Sequence, residues 1–520
     1  MNGRPQLWEF VSVAMGDQTW LYTVAASTFI FIVICLVSQS RGKPHPPRPP
    51  SPLSLPVIGH LHLLKNPLHR TFQTFSSKYG PVFGLQLGNQ YTVVVSSPAA
   101  VEECFGRNDV VLADRPQISA GKHLSYDSTT MGATIYGDHW RNLRRISNQE
   151  VFSASRQNMF LSLRQEEVKS MIRSLFRSTN TSNGMMQQVE VKSRIGNLAF
   201  NIVVGIVAGK RYYGDGVEDS AEAKEFQEII REMMDLSAAS NPGDFLPFLR
   251  LIDFGDYEKK MVRLKKRIDK VLQGLIDESK AKDGAAAKSM IDNILALQHT
   301  DSAFLSHKTV KGLVLVLIQA GSDTAAVTIE WAMSLLLNNP EKLKKAQSEL
   351  DAVVSPGRLV EEADLPKLKY LQAIINETLR MYPAAPLLVP HYSSGECTIQ
   401  GFHVPRGTLV FVNAWALHRD PDVWDDPSSF KPERFENAEE SHSYKFVPFG
   451  TGRRSCPGAS MANKVVGLAL ASLIQCFDWE RVGEEEVDMR EGDGLTMPKC
   501  TPLEAMCRPR NKAMDALSCL

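Results

Sequence analysis

The longest uninterrupted apolar stretch lies near the N-terminus. From Gln18 to Ser40 no charged residue occurs, and "WLYTVAASTFIFIVICLV" is mostly apolar. About 23 residues at ~1.5 Å each reach roughly 34 Å, enough to cross a bilayer core. Arg41, Lys43 and Arg48 follow the stretch, while Glu9 and Asp17 outweigh Arg4 before it. This asymmetry predicts an uncleaved transmembrane anchor over 18–40, a luminal N-terminus over 1–17 and a cytosolic bulk. A cleaved signal peptide would have a shorter apolar core, with its basic residues on the other side. With the bulk in the cytosol, the sequon Asn180-Thr181-Ser182 is expected to stay unglycosylated.

Next comes "KPHPPRPPSPLSLPVIGH", whose prolines enforce extended backbone and predict a semi-rigid linker over 41–60. In the body, 61–520, "PVFGLQLGNQYTVVVSS" reads as a hairpin turning at Gly88-Asn89. Helical periodicity predicts helices over Ser155–Ser178, Tyr257–Lys282, Ser306–Leu337, Pro340–Val354 and Leu368–Met381. Short strands are expected at Thr398–Val404 and Thr408–Val412, and an exposed loop at Ala281–Lys288. The fold class is therefore mainly α with a minor β portion. Formal net charge is zero over 520 residues, which argues against a nucleic-acid partner. The eight cysteines are scattered without a C-x-x-C, which fits free thiols better than a disulfide framework or a zinc site.

One cysteine stands apart. In "FVPFGTGRRSCPGAS", Cys456 follows Gly450 and Gly452 and precedes Pro457, Gly458 and an apolar helical run. Glycines permit turns that other residues resist, and Pro457 suits the first turn of the helix. A cysteine at a helix N-terminus beside Arg453 and Arg454 is expected to have a stabilised thiolate. From these features alone it is a nucleophile, a redox sensor or a metal ligand.

Phe449, Gly452, Arg454, Cys456 and Gly458 together resemble the haem-binding signature of the cytochrome P-450 superfamily, a resemblance that makes Cys456 the axial iron ligand. Four further segments appear in the family's order. "AGSDTA" places Asp323 and Thr324 inside the long apolar helix, where a polar pair is costly. There Thr324 can divert its hydroxyl from the backbone and loosen the helix locally, and Gly321 permits close approach of oxygen. The resemblance makes Asp323 and Thr324 a proton relay, though a small-residue helix contact also accounts for the Ala and Gly. "ETLR" puts Glu377 and Arg380 on one helical face, and "FKPERF" supplies Arg434. In the family these three form a buried structural network. "WRNLRR" carries Trp140 and Arg144, which with His391 and Arg454 resemble haem-propionate contacts. A surface histidine after a proline remains the alternative for His391. The "HRDPDVW" run from His418 fits the family but adds no chemistry.

No G-x-G-x-x-G in a strand–helix context and no P-loop occurs, so the resemblance implies electrons from a separate NADPH–cytochrome P-450 reductase. Arg453 and Lys445 are candidates for its docking face, with simple solvation as the alternative. "AGSDTAAVTIEWAMSLLLNNP", "FVNAWALHRDP" and "SLIQCFDWERVGEEEVDMREGDGLTMPK" are similar to the plant A-type subgroup that includes isoflavone hydroxylases and sesamin synthase. This implies a monooxygenase of the endoplasmic reticulum membrane that uses haem b and O2 on a small apolar or phenolic plant metabolite, most simply by aromatic hydroxylation. Phenol coupling and methylenedioxy-bridge formation stay open. Retained Thr324 favours hydroxylation, because some bridge-forming relatives replace that threonine. A haem-thiolate isomerase, a haem electron carrier and a cofactor-free membrane scaffold are the competing classes. Substrate-contact candidates are Val316, Ala320, Ala384, Leu387, Leu495, Thr496 and Met497, which otherwise merely pack the core.

Overall fold

The structure, a computed structural model, describes residues 20, 22–31, 46–180, 184–214, 221–238, 241–281, 289–299, 303–436 and 444–520. Of the expected anchor these include only Trp20 and a short apolar helix, Tyr22–Phe31. The expected luminal residues, linker residues 41–45, Thr181-Ser182 of the sequon and all of the 281–288 loop but Ala281 lie outside the described residues.

The proline-rich segment is stitched to the body rather than spaced from it. Prolines lack a donor but keep an acceptor. The Pro47 carbonyl accepts from the His403 amide (2.9 Å) and the Pro50 carbonyl from the Gly84 amide (2.8 Å). The His60 ring bridges the Pro52 carbonyl (2.9 Å) and the Gln86 amide (2.7 Å). Strands β1 (Val82–Leu87) and β2 (Gln90–Val95) form the expected antiparallel hairpin. Its turn needs Gly88, where φ is +57° and a Cβ would lie 2.1 Å from the Phe245 carbonyl oxygen.

Helix α1 (Asp138–Ser147) follows. The expected helix over 155–178 is instead two, α2 (Ala154–Met159) and α3 (Leu161–Thr179), because Phe160 leaves helical geometry as its ring enters the core. Strand β3 (Gln187–Glu190) leads into α4 (Val191–Ala208). Helices α5 (Tyr257–Lys280), α6 (His307–Asn338), α7 (Pro340–Val353) and α8 (Lys369–Met381) fall within two residues of their expected ends. Ser306 caps α6 by accepting from the Thr309 amide (3.2 Å), and Pro340 opens α7.

Strand β4 (His391–Tyr392) joins the first sheet. The strand expected over 398–404 is a hairpin, β5 (Cys397–Ile399) and β6 (Phe402–Val404), since Gln400 (φ +49°) and Gly401 (φ +76°) reverse the chain. Strand β7 (Leu409–Val412) pairs parallel to β2 and antiparallel to β4, giving the order β1-β2-β7-β4. Helix α9 (Ala459–Cys476) precedes β8 (Phe477–Glu480) and β9 (Glu504–Pro509), and the second sheet runs β3-β9-β8. The C-terminal tail is docked: Ala516 and Leu517 are buried, and Arg173 Nε donates to the Leu520 carbonyl (2.7 Å).

By length and composition α4, α6 and α9 are apolar enough to cross a membrane, yet they pack together inside the body. A helix that is apolar over most of its surface needs such a site. α6 meets α4 at Gly321, where a Cβ would lie 2.3 Å from Val203 Cγ2. That contact is the small-residue packing left open above. Val203 is β-branched and has little rotamer freedom in a helix, so it cannot step aside. Replacing Gly321 with Ala is expected to destabilise the protein by about 1–3 kcal/mol. Thermal denaturation of Gly321→Ala, with and without Val203→Ala, measures this, and the double variant should recover most of the loss.

Candidate active site

Two left-handed glycines shape the loop before α9: Gly450 (φ +66°) and Gly452 (φ +71°). The Gly450 amide donates to the Val447 carbonyl (3.0 Å), and the Cys456 amide closes the loop on the Phe449 carbonyl (2.9 Å). A Cβ on Gly452 would lie 2.5 Å from Asp109 Oδ1, and one on Gly458 would lie 3.4 Å from the Phe152 ring. Gly458 is the N-cap of α9, so Pro457 precedes the helix instead of occupying its first turn. Cys456 has accessible surface and lines a cavity, but the protein packed around it dominates its titration. Burial raises the thiol pKa, and this outweighs the opposing Gly458 and Ala459 amides and the Arg144 charge. The expected depressed thiol is therefore corrected.

Beneath this loop lies a buried charge network. Glu377 and Arg380, one turn apart on α8, are both fully buried and pair bidentately at 2.7 and 2.8 Å. Glu377 also accepts from Arg434 Nε (3.0 Å) and the Lys431 amide (2.9 Å). Arg380 Nη1 donates to the His418 carbonyl (2.6 Å) and the Pro427 carbonyl (2.9 Å). The His418 ring then accepts from the Val447 amide at Nε2 (3.0 Å), which places its proton on Nδ1. Burial, with Arg380 and Arg419 nearby, pushes the His418 pKa down to about 3. Sequence reasoning passed over His418; its link from Arg380 to the base of the cysteine loop is visible only in three dimensions.

The cavity has a volume of about 380 Å³. Trp140, Arg144, His391, Phe449, Arg454, Cys456 and Gly458 all line it, as does Arg115, which sequence reasoning missed. His391 is a buried β4 residue whose Nδ1 meets the Leu112 carbonyl (2.7 Å), so it is no surface histidine. Arg144 Nη1 donates to the Ser455 carbonyl (2.9 Å). Arg454 stacks over Trp140 (4.6 Å) and gives its three nitrogens to the carbonyls of Ala113, Met131 and Thr134. Burial lowers the pKa of each of these basic groups: Arg115 to about 9, Arg454 to about 10, Arg144 below the usual guanidinium range, and His391 well below the histidine range, which leaves its ring neutral. Arg115 Nε is buried without a partner, and no carboxylate lines the cavity among the described residues. A thiol facing a cavity that also gathers crowded cations suits a haem, with iron at the sulfur and carboxylates at the guanidiniums.

The long helix contributes Val316, Ala320, Gly321 and Thr324 to the cavity, but not Asp323. The Thr324 hydroxyl is not diverted from the backbone as expected: Oγ1 donates to the Ala320 carbonyl (2.9 Å), and α6 stays continuous instead of loosening there. Asp323 Oδ2 instead accepts from Thr496 Oγ1 (2.6 Å). Ala384 lines the cavity; Leu387, Leu495, Thr496 and Met497 do not. Leu387 packs in a separate cluster beside β1, Leu495 is exposed, and Met497 is buried in the core. In their place α4 supplies Ala199, Ile202, Val203, Ile206 and Val207. Arg453 is neutralised by Asp109 (2.7 Å) and held by the Tyr136 hydroxyl (3.0 Å), whereas Lys445 is exposed.

Acid should loosen the cysteine loop's support. An unfolded histidine takes a proton near pH 6.5, while folded His418 refuses one down to about 3. Its contribution is present above pH 6.5 and is lost as pH falls toward 3, by roughly 1.4 kcal/mol per pH unit. Denaturant midpoints at pH 7, 6 and 5 should fall accordingly, and His418→Asn, which keeps an acceptor without titrating, should flatten part of the slope.

The sequence profile of the family described as "Cytochrome P450" matches residues 49–503. Cytochrome P450 81Q32 of Catharanthus roseus is 53% identical over 96% of this chain and 98% of its own. (+)-Piperitol/(+)-sesamin synthase CYP81Q2 of Sesamum radiatum is 49% identical over 94% and 97%. Isoflavone 3'-hydroxylase of Medicago truncatula is 48% identical over 95% and 99%. A zebra fish cytochrome P450 solved with progesterone superposes with a TM-score of 0.74 at 25% identity, covering 86% of this chain and all of that one. Fold, sequence and a cysteine loop facing a cation-lined cavity converge: this chain belongs to the cytochrome P450 family and is a haem-thiolate monooxygenase of the subgroup that includes plant isoflavone hydroxylases and sesamin synthase.

Proposed function

We propose that this monooxygenase inserts one oxygen atom from O2 into a C–H bond, by aromatic hydroxylation, of an apolar or phenolic plant specialised metabolite. The observation that carries the reading is the cavity beside Cys456, whose α4 and α6 walls are Gly, Ala, Ile, Val and Leu with Thr324 and Thr328 as the hydroxyls among them. Such a wall selects by shape and apolar contact, with few polar anchors. The likeness to isoflavone 3'-hydroxylase supports the substrate class.

Haem b, when bound, supplies oxygen activation at an iron ligated by the Cys456 thiolate. Arg115, Arg144 and Arg454 would face its carboxylates, with Trp140 stacked on Arg454 and the His391 imidazole, kept neutral by burial, beside them. Phe449 and Gly458 keep the space around the sulfur. Glu377, Arg380 and Arg434 hold the loop from beneath and touch no reactant. Val316, Ala320 and Ala384 contact the substrate and exclude water. Asp323 and Thr324 move protons inward, with the Thr324 hydroxyl at the cavity and the Asp323 carboxylate behind it.

In this reading residues 18–40 anchor the chain in the endoplasmic reticulum membrane, with 1–17 luminal and the body, entered through 41–60, cytosolic. An NADPH-dependent reductase in the same membrane supplies the electrons. A second reading, phenol coupling or methylenedioxy-bridge formation on a polyphenol, is favoured by the likeness to a sesamin synthase.

Two measurements test this. Cys456→Ser should abolish the thiolate signature of the reduced, carbon monoxide-bound protein, and its persistence would sink the ligand assignment. Microsomes holding the chain and a reductase, given a phenolic panel with labelled O2, should yield a product one labelled oxygen heavier. Loss of two hydrogens would instead mean coupling, bridge formation or desaturation and would overturn hydroxylation.

A further inference from the structure

Asp323 is placed oddly for a residue that serves the cavity. Ala320, Gly321 and Thr324 line that cavity, whereas Asp323, between them on α6, does not. Its carboxylate points to the chain between β8 and β9, where Thr496 Oγ1 donates to Oδ2 at 2.6 Å. That separation is typical of a hydroxyl bonded to a carboxylate. It is the one hydrogen bond the Asp323 side chain makes among the described residues.

Thr496 itself is held firmly. The next residue, Met497, donates its amide to the Ala384 carbonyl (3.0 Å) and accepts at its carbonyl from Trp331 Nε1 (2.8 Å). Trp331 lies on α6 and is locked by stacking on Tyr382 (3.9 Å between centroids), so the loop is pinned to the helix that carries Asp323. The Gly492 amide further ties the loop to the Pro498 carbonyl (2.8 Å). Immediately before Thr496, residues Asp493, Gly494 and Leu495 are exposed, while Thr496 is half-buried. The hydroxyl thus joins the carboxylate to the exposed turn that precedes it.

We propose that Thr496 is a positioning residue for proton delivery: its hydroxyl fixes the direction of the Asp323 carboxylate and links it to the solvent-facing loop. This rests on the relay role given to Asp323 above. When Asp323 has passed a proton inward, Thr496 Oγ1–H gives its proton to Oδ2. A solvent hydronium protonates Oγ1 in the same step and leaves water, so no alkoxide forms. One proton moves from solvent to carboxylate, and no electron moves. Thr496 is thereby assigned to the carboxylate instead of the substrate.

Thr496→Val removes the hydroxyl at nearly constant shape, Thr496→Ser keeps it, and Asp323→Asn is the benchmark. Full-chain protein is assayed in reductase-containing membranes for product formed per NADPH consumed, KM and the solvent deuterium isotope effect. A readout independent of turnover is the infrared stretch of carbon monoxide bound to the reduced protein, which senses polar groups near the ligand. Loss of one positioning hydrogen bond should lower product per NADPH roughly fivefold to tenfold in Thr496→Val. The isotope effect should rise, the carbon monoxide band should shift or broaden, KM should hold, and Thr496→Ser should behave as wild type. The inference is overturned if Thr496→Val matches wild type while Asp323→Asn is impaired. It is equally overturned if Val and Ser variants lose activity together with melting temperature, or if only KM rises. If Asp323→Asn is itself unimpaired, the relay reading falls and this inference with it.

Discussion

A carboxylate and a guanidinium buried with no exposure, Glu377 and Arg380, are the constraint around which this structure closes. Taking two charges out of water costs several kcal/mol per ion, and their attraction offsets that only when the remaining donors and acceptors are also satisfied. Here they are satisfied by chain segments distant in sequence. Lys431 and Arg434 come to the carboxylate, while the carbonyls of His418 and Pro427 come to the guanidinium. Each segment is held because the pair needs it. The last link, from His418 to the Val447 amide, reaches the first residue of the cysteine loop. The position of the sulfur therefore depends on a charge pair that touches no part of the cavity.

Desolvation acts in the same direction on both halves of the site. It raises the Cys456 thiol and lowers Arg115, Arg144, Arg454 and His391, so the protein alone disfavours both the thiolate and the cations. A ligand bringing a metal cation to the sulfur and anions to the guanidiniums relieves both penalties together. Affinity for such a ligand and stability of the folded site are then linked quantities.

What could be read from the chain was what is local. The glycines around Cys456, the E-x-x-R turn, Trp140 with Arg144 and the Gly88-Asn89 hairpin each carry their geometry within a few residues. What escaped depends on packing. Arg115 has no motif around it and matters because β4 and the α1 region bring it beside Arg454. Helix α4 has its polar residues before Ile202 and is uninterruptedly apolar from Ile202 to Ala208, so its period does not reveal which face meets the cavity. The segment Leu495–Met497 looked like pocket lining because it is small and apolar. Its backbone instead ties Ala384 to Trp331, and its one hydroxyl faces Asp323. Arg453 carries no sign in the sequence of its partner Asp109, which packing alone brings beside it.

The contact between Gly321 and Val203 has a bearing on redesign. Where two helices meet with no room for a methyl group, the wall they form is a datum, and mutagenesis there trades against the integrity of the fold. Neighbouring α4 positions that face inward without this contact, Ala199, Ile202 and Ile206, are adjustable by comparison. A library meant to widen the range of accepted molecules belongs on that one helix, with α6 left as the fixed edge against which each new shape is measured.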